Sequence, residues 1–431
     1  MSFIDNFEVW PKIVLADKYS NIFIKDKYNQ GFIKDSKEFD IYYYPLERYS
    51  PLGEYRYAEK RTIKANNNIL SINQFFKSEQ EHIIEIREKD SNHSFLKVNV
   101  YSLHKDLFDL RPYKGDLHMH SYYSDGQESP EFVAASCRKI GLDFMAITDH
   151  GLYAPSVQAQ NYFKDLDLDF LICLGEEVHP ENNPVHIINF GGNFSINEEM
   201  INNKEKYYEE VNKIKERLPE IHDEDAKYQC ASCLWVFDKI RKANGLGIFC
   251  HPYWLVNEGY YISDTVISYM LENQPYDALE LIGGYYKSEA NSNILQVARY
   301  YEERSKGKSI PIVGVSDSHG CQNGNLFGWY YTIVFSQNLQ QESIINNIKN
   351  LNSVAVEALP GETVRVYGPF RLVKYSLFLL REILPKHDKL CSNEGKLMLD
   401  YLSGDKKSLE RLKNSKGQIE RLYCNLWAKS E

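Results

Sequence analysis

The amino-acid sequence predicts an α/β fold, preceded by a small β domain and followed by a helical tail. Short runs rich in Tyr, Ile, Phe and Val occupy the first part of the chain, apolar runs alternate with helical stretches in the middle, and Leu, Ile, Tyr and Lys recur at helical spacing near the end. A chain of 431 residues has the length for two or three domains. We therefore predict domains at residues 1–110, 111–336 and 337–431.

Composition and charge narrow the class of protein. Apolar residues make up 43% of the chain, charged residues 26%, and the formal net charge is -10. This acidic balance disfavours a broad electropositive surface, so nucleic acid is not the expected partner. No apolar run approaches the roughly 20 residues of a membrane helix, and the opening MSFIDNFEVW lacks a basic segment followed by an apolar one. We expect a cytoplasmic protein without membrane contact.

The cysteines indicate free thiols rather than disulfides. Eight cysteines are scattered along the chain without a repeated framework. Cys230 and Cys233 form a lone CxxC, with no second pair at zinc-finger spacing. We interpret both as buried helix residues without a zinc or redox role.

The region up to residue 110 predicts a small β-sandwich or sheet. Its apolar runs are separated by turns of Asn, Gly, Asp and Lys, and they include SNIFIKD, EFDIYYYPL, HIIEIRE and FLKVNVYSL. Short strands at such spacing are typical of antiparallel sheets. The region contains no cluster of chemically reactive residues.

Seven apolar runs in the middle region predict the strands of a parallel sheet or barrel: GDLHMH, DFMAITDH, DFLICLGEEVH, VHIINFG, LGIFCHPY, ALELIGG and IPIVGVSDSHG. All but the fourth and the sixth end in a histidine or in a carboxylate beside a histidine. In parallel α/β barrels the carboxyl ends of the strands form one mouth, where active sites lie. We expect these side chains to converge there.

The stretch KGDLHMHSYYSDG shows how such a strand end is built. His118 and His120 point to the same face of a strand, because side chains alternate with a period of two. The following loop returns Asp125 toward the same place. Ser129, Pro130 and Glu131 then provide a cap, a first-position proline and an acid for a helix start.

The segment EVHPENNPVH predicts a hairpin. Only eight residues separate Glu177 from His186, whereas a parallel crossover needs about a dozen or more. VHIINFG should therefore return antiparallel to the preceding strand, which places His186 beside Glu177. Glu176 points to the opposite face of a regular strand, so Glu177 is the one of the two that is expected to face the mouth.

Nine side chains are the candidate metal ligands at the predicted mouth: His118, His120, Asp125, His150, Glu177, His186, His251, Asp317 and His319. Imidazole and carboxylate are ligands of zinc, manganese and iron. Nine such groups exceed what one tetrahedral ion requires, so more than one ion is expected.

These motifs, in this order, resemble those of the polymerase and histidinol phosphatase (PHP) family of metal-dependent phosphoesterases. DLHMHSYYSDG resembles the first motif of the family, AITDH the second, GEEVH with VHIINF the third, and FCHPYW and VGVSDSHG the closing motifs. The resemblance spans roughly Pro112 to Ser336. It implies a distorted (β/α)7 TIM-like barrel with up to three metal ions in its cleft.

The resemblance also implies how the ligands are shared. One ion would be bound by His118, His120, Glu177 and Asp317, a second by Asp125, His150 and His319, and a third by Glu177, His186 and His251. Glu177 would bridge two ions. All nine family positions are filled, so nothing indicates a dead site. The expected cofactors are two or three divalent ions of Zn, Mn or Fe.

The expected reaction is hydrolysis of a phosphoester, namely a phosphomonoester of a small phosphorylated metabolite, by a metal-activated water. One alternative is a nuclease-like phosphodiesterase acting on nucleic acid or nucleotides, because the family includes polymerase-linked exonucleases. Another alternative is a metal-binding module without turnover.

Three residues are candidates for proton transfer or substrate binding. His179, two residues after Glu177, is a candidate to protonate the leaving oxygen. Lys287, which follows the sixth strand, and Tyr253 are candidates for substrate binding, although loop lysines are often only solvated and aromatics often only pack. Asp149 either orients the ligands or bonds within its own turn.

The end of the chain predicts packing elements rather than chemistry. QQESIINNIKNL predicts a helix, and SVAVEAL and VRVYGPF predict strands. From about Arg371 the tail is helical and is interrupted by Pro385. We expect it to pack on the domain or to form an oligomer contact.

Overall fold

The computed structural model describes residues 6–47, 57–91, 93–324 and 326–429. The chain forms two compact units. Unit 1 consists of the chain up to Arg111, Leu377–Lys386 and the chain from Gly417. Unit 2 consists of Pro112–Ser376 and His387–Lys416. The predicted division at residues 110 and 336 remains a prediction.

Unit 1 is built mainly from eight strands: β1 (Phe7–Trp10), β2 (Ile13–Leu15), β3 (Lys18–Asp26), β4 (Glu38–Pro45), β5 (Glu59–Lys64), β6 (Ile69–Phe76), β7 (Glu81–Glu88) and β8 (Leu96–Leu103). They form two sheets, in the orders β1-β3-β6 and β2-β8-β7-β4-β5. Ile22 and Ile72 of the first sheet and Ile84 and Val98 of the second are fully buried in one core. The predicted antiparallel strands are present, and the sandwich arrangement remains a prediction.

Thirteen further strands follow in the described residues: β9 (Arg111–Asp116), β10 (Phe144–Ala146), β11 (Leu171–Cys173), β12 (Gly175–Val178), β13 (Ile187–Phe190), β14 (Leu246–Phe249), β15 (Leu255–Val256), β16 (Gly259–Tyr260), β17 (Ala278–Gly283), β18 (Ile312–Val315), β19 (Tyr330–Ser336), β20 (Ser353–Glu357) and β21 (Arg365–Tyr367). The helices are α1 (Lys105–Phe108), α2 (Pro130–Lys139), α3 (Ala154–Phe163), α4 (Ile196–Asn202), α5 (Lys204–Lys215), α6 (Glu224–Lys242), α7 (Asp264–Asn273), α8 (Ala290–Ser305), α9 (Gln341–Lys349), α10 (Phe370–Glu382), α11 (Leu384–Leu402), α12 (Lys406–Ser415) and α13 (Gln418–Leu426). The fold is thus mixed α/β with a helical C-terminal region.

The β9–β21 region forms two main sheets, in the orders β11-β10-β9-β19-β20-β21 and β12-β13-β14-β17-β18. Strand pairing among the described residues does not close them into one barrel. β12 and β13 pair antiparallel with Glu177 opposite Ile188, which confirms the predicted hairpin. The run DFLICLGEEVH, predicted as one strand, is divided into β11 and β12, which belong to different sheets.

One apolar core lies between the two sheets of unit 2. Phe144 of β10 and Val334 of β19 contact a cluster that also contains Ile188, Ile248 and Val313 of the other sheet. All five side chains are fully buried. This packing brings the strand ends of the two sheets to the same place, because both sheets rest on one core.

Several helix predictions are confirmed. The Ser129 hydroxyl caps α2 by accepting from the Phe132 amide at 3.3 Å. Cys230 and Cys233 are buried in α6. The tail is helical, and Pro385 occupies the second position of α11, where proline is tolerated. No helix among the described residues is long and apolar enough to span a membrane.

A buried ionic network attaches α11 to the rest of unit 2. The Arg138 side chain donates to Glu394 at 2.6 Å and to Asp143 at 3.0 Å. His387 Nε2 lies 2.8 Å from the same Asp143 carboxylate. Arg138 and Asp143 are each 1% exposed, so α11 is held by charges that are fully withdrawn from water.

Candidate metal centre

The centre begins just beyond the ends of β9 and β18, where the isolated bridge between Met119 and Ser318 links their two sheets. The Asp116 carboxylate accepts from the amides of His118 at 3.3 Å and of Ser316 at 3.1 Å. The Asp317 amide then donates to the His118 carbonyl at 3.0 Å. These bonds place the HMH and SDSH segments side by side. His120 Nε2 lies 2.9 Å from Asp317 Oδ1 as a result.

Glu177 lies at the middle of the centre and is fully buried. Its Oε2 lies 3.3, 3.4 and 2.8 Å from His118 Nε2, His120 Nε2 and His150 Nδ1. Its Oε1 lies 2.8 and 3.5 Å from His186 Nδ1 and His251 Nε2. Five imidazoles from four segments of the chain thus surround one carboxylate.

The donor atoms around Glu177 fit metal ions. Both Glu177 oxygens, His118 Nε2 and His186 Nδ1 are buried and make no aligned hydrogen bond with any described residue. An unsatisfied buried polar atom destabilises a fold by about 1–3 kcal/mol. Divalent ions would satisfy these atoms, and mixed imidazole and carboxylate sets are typical of zinc, manganese and iron sites.

The opposite side of the centre is open to solvent. Asp125, with 54% of its side chain exposed, lies 3.3 Å from His150 Nε2 and 3.3 Å from His319 Nε2. The imidazoles of His150 and His319 each stack on His120 at 4.4 Å between centroids. A molecule from solvent can approach the centre here without displacing the core.

Asp149 fixes the loop that carries Asp125. Its carboxylate accepts from the amide of Ser121 at 2.7 Å and from the hydroxyls of Ser121 and Ser124, both at 2.6 Å. Asp149 also precedes His150 directly. The contacts therefore favour the orienting alternative for Asp149, since it joins two ligand-bearing segments.

The structure brings all nine candidate ligands together, and their sharing differs partly from the grouping implied by resemblance. His120 lies with the exposed group of Asp125, His150 and His319 as well as with Glu177. His118, His251 and Asp317 form another group. The assignment of the nine residues as ligands remains a prediction.

The electrostatics of the centre favour a charged Glu177 carboxylate, and the surrounding imidazoles differ from one another. Burial lowers the pKa of His118, His150 and His251, but neighbouring carboxylates outweigh this effect and raise it, for His150 to about 10. Burial would raise the pKa of Glu177, but His186 and His118 hold it well below its usual range. Burial lowers the pKa of His186 to about 4 despite the attraction of Glu177. The His186 imidazole is therefore neutral at pH 7, which is the form that binds a metal.

Comparison with known proteins identifies the region that contains the centre. Residues 116–229 match the family model of the PHP domain. This part of the chain is therefore similar to the PHP domain. Six of the nine converging residues lie within the match, and His251, Asp317 and His319 lie beyond it.

One curated relative and two solved structures are similar to parts of the chain. The DNA polymerase/3'-5' exonuclease PolX of Bacillus subtilis (strain 168) is 46% identical over 69 residues, which are 16% of this chain and 11% of PolX. A two-domain protein of Bacteroides vulgatus that contains a predicted PHP-like metal-dependent phosphoesterase is 17% identical, with a TM-score of 0.39 over 57% of this chain and 65% of that chain. A Bifidobacterium adolescentis protein, provisionally named a metal-dependent phosphoesterase, is 20% identical, with a TM-score of 0.34 over 49% and 89%.

His179 lies at the edge of the centre. Its Nε2 is 2.7 Å from His150 Nδ1 and 3.8 Å from Glu177 Oε1. Its ring stacks on His186 at 4.0 Å, and 37% of its side chain is exposed. It therefore reaches both the buried donors and the solvent, while its role in proton transfer remains a prediction.

Glu280 is a residue of the centre that the sequence motifs did not indicate. It lies in β17, is fully buried, and places Oε2 3.2 Å from His118 Nδ1. Its contact leaves His118 Nε2 facing Glu177 and Asp317. The available signal was a single acid inside the apolar run ALELIGG.

The two predicted substrate residues lie differently from expectation. Tyr253 is only 7% exposed and belongs to the core cluster of the unit, and its ring also contacts Tyr260. Lys287 donates to the Pro360 carbonyl at 2.7 Å and lies 3.6 Å from Glu362. Substrate binding by either residue remains a prediction.

Glu176 faces away from the centre, as strand alternation predicts. Its carboxylate accepts from four donors, at 3.0, 2.7, 2.6 and 2.9 Å: Asn189 Nδ2, Ser195 Oγ, the Ile196 amide and Asn197 Nδ2. Ser195 is the cap of α4. Glu176 therefore attaches α4 to β12, so replacing it would disturb the packing of α4 as well as the strand.

Proposed function

We propose that this protein is a metal-dependent phosphoesterase that hydrolyses a phosphomonoester of a small metabolite at a trinuclear centre of Zn, Mn or Fe. The observation that carries the proposal is Glu177, a buried carboxylate surrounded by five imidazoles and without a hydrogen bond to the described residues. The PHP match over residues 116–229 supports the same reaction class.

The proposal includes the distorted (β/α)7 arrangement. Isolated parallel bridges, Met119 with Ser318 and His150 with Glu177, link the two sheets of unit 2 at the centre. Such bridges bring strand ends of both sheets to one mouth, which is where barrel enzymes place their active sites.

Divalent ions in such a centre supply a nucleophilic water near neutral pH and offset the charge of the phosphoryl and leaving oxygens. The buried imidazoles around Glu177 would hold the ions rigidly, because the core fixes their backbone. Asp125 would hold an ion on the exposed side, where the substrate arrives. His179 is placed to give a proton to the leaving oxygen.

A nuclease-like phosphodiesterase is the second candidate function, and the local 46% identity to PolX favours it. The net charge of -10 opposes it, because contacts to a phosphate backbone require many cations. The two reactions are separated by comparing 4-nitrophenyl phosphate with bis(4-nitrophenyl) phosphate and a single-stranded DNA oligonucleotide.

The experiment is a screen of phosphorylated metabolites and 4-nitrophenyl phosphate, with Mn, Zn and Fe supplied separately and metal content measured by elemental analysis. We expect two or three ions per chain and hydrolysis of monoesters. Faster cleavage of the diester or the oligonucleotide would establish the second candidate instead. Folded, metal-loaded protein that cleaves none of them would indicate a metal-binding module.

Replacing Glu177 by Gln tests the bridging carboxylate. The amide keeps the shape but removes the charge, so ions on both sides of Glu177 should weaken together and monoester hydrolysis should fall by a factor of about a hundred or more, equivalent to about 2.7 kcal/mol. Glu181→Gln is the matched control, since Glu181 is a surface acid that pairs with Lys204 at 2.7 Å. Full metal content and full activity in Glu177→Gln would refute this role.

A further inference from the structure

We infer that the substrate carries a planar aromatic ring and that Trp254 and Tyr261 form the subsite for that ring. The inference rests on the proposed phosphoesterase function and specifies the organic part of the substrate. The evidence is the position of two aromatic side chains beside the ligands of the centre.

Trp254 and Tyr261 lie opposite one another in the hairpin after β14. Leu255 of β15 pairs with Tyr260 of β16, and the Tyr261 amide donates to the Trp254 carbonyl at 2.9 Å, which extends the pairing by one residue. The two rings meet edge to face with centroids 5.1 Å apart. Cross-strand aromatic pairs of this kind keep both rings on one face of the hairpin.

That face is directed at the centre. The Trp254 amide donates to the His251 carbonyl at 3.1 Å. This tight turn brings the Trp254 indole back toward the His251 imidazole. The Trp254 ring lies 5.9 Å from the His251 ring and 6.0 Å from the His186 ring. The Tyr261 ring also lies 6.0 Å from the His186 ring. Both aromatics therefore flank the Oε1 side of Glu177.

The two rings are available to a ligand. Tyr261 is 44% exposed. Neither the Tyr261 hydroxyl nor the Trp254 indole N–H forms a hydrogen bond within the described part of the chain. A phosphate group has no apolar surface to cover such rings, whereas a flat aromatic group attached to it gains both apolar burial and favourable ring geometry.

The opposite face of the same hairpin provides a matched control. Strand alternation turns Tyr260 away from Trp254 and Tyr261. The Tyr260 ring packs instead on the buried Tyr253, with centroids 5.6 Å apart. Changing Tyr260 perturbs the hairpin to a similar degree without touching the proposed subsite.

The experiment compares kcat/KM for 2-phenylethyl phosphate and 2-cyclohexylethyl phosphate, whose leaving alcohols have similar acidity and differ in the ring alone. We expect the metal-loaded protein to prefer the phenyl ester about five- to tenfold. Trp254→Leu and Tyr261→Leu should reduce this preference toward about one, and Trp254→Phe should retain most of it. Tyr260→Leu should leave the preference unchanged.

A second measurement is independent of turnover. Calorimetric titration with the two corresponding phosphonates should show the same preference in affinity and the same loss in Trp254→Leu. Equal kcat/KM for both esters while 4-nitrophenyl phosphate is cleaved would overturn the ring subsite and leave the phosphoesterase proposal standing. No cleavage of any of the three esters by metal-loaded protein would overturn both.

Discussion

Replacing Glu280 by Gln should weaken metal binding without unfolding the protein. Glu280 and His118 are fully buried, and the 3.2 Å contact joins Glu280 Oε2 to His118 Nδ1. The carboxylate accepts a hydrogen bond from the Nδ1–H group, which leaves the Nε2 lone pair for an ion beside Glu177. An amide is a weaker acceptor and can also present its NH2 group, which favours the wrong tautomer. Losses at such partners reduce metal affinity about 10- to 100-fold, or roughly 1.4–2.7 kcal/mol.

The assay is competition with a chelator, followed by the metal content of the separated protein, with circular dichroism as the check on folding. Glu303→Gln is the matched control, because Glu303 is an equally buried acid that pairs with Lys306 at 2.7 Å. We expect the control to lose stability and to keep its metal affinity. A folded Glu280→Gln protein with wild-type metal affinity would refute the orienting role.

Two further predictions concern stability. Burial lowers the pKa of His82 from 6.5 to about 3. Between these two pH values the unfolded chain binds a proton at this residue and the folded chain does not. The contribution of the neutral His82 to the free energy of unfolding should therefore be complete above pH 6.5 and fall by about 2 kcal/mol by pH 5. Urea unfolding should show a weaker pH dependence in His82→Gln, and an unchanged slope would contradict this. Arg138→Met leaves two buried carboxylates, Asp143 and Glu394, without their cation. It should lower the free energy of unfolding by about 3–5 kcal/mol at unchanged metal content. A loss below about 1 kcal/mol would show that the network is not required for stability.

The hairpin and the position of Glu177 were predictable because both follow from local geometry. Eight residues between Glu177 and His186 are too few for a crossover, and alternation decides which of two adjacent acids faces the centre. Each inference needs only the chain within about ten residues of the strand end. The structure agrees, since His186 Nδ1 lies 2.8 Å from Glu177 Oε1.

The break between β11 and β12 was not predictable from the apolar run that contains it. Composition alone shows a continuous strand in DFLICLGEEVH. The chain changes sheets near Gly175, where a Cβ would lie 3.0 Å from the Thr148 side chain and 3.1 Å from Ala146 Cβ. Glycine thus permits a close approach of two strands. The constraint is set by residues of another strand, which the local pattern does not contain.

Glu280 and Lys287 also show that a local sequence pattern does not reveal the distant partner of a side chain. Glu280 looked like one charge in an apolar strand, and its function depends on His118, 162 residues earlier in the chain. From the sequence, Lys287 is a cation near a strand end that could reach a phosphate. In the structure its ammonium group donates to the carbonyl of Pro360, 73 residues later. Periodicity indicates where a side chain points but not which distant partner it meets.

The centre lies where isolated bridges, rather than a regular ladder, link the backbones of the two sheets of unit 2. The bridge between Met119 and Ser318 continues β9 and β18, and the bridge between His150 and Glu177 continues β10 toward β12. Beyond such bridges the chain must turn, and Asp317 does so with φ of 52°. A left-handed residue at this point ends the strand and redirects the side chain from the sheet toward His118 and His120. The ligand geometry therefore depends on where strand pairing ends, and an insertion that shifted either bridge by one residue would move alternate ligands to the wrong face.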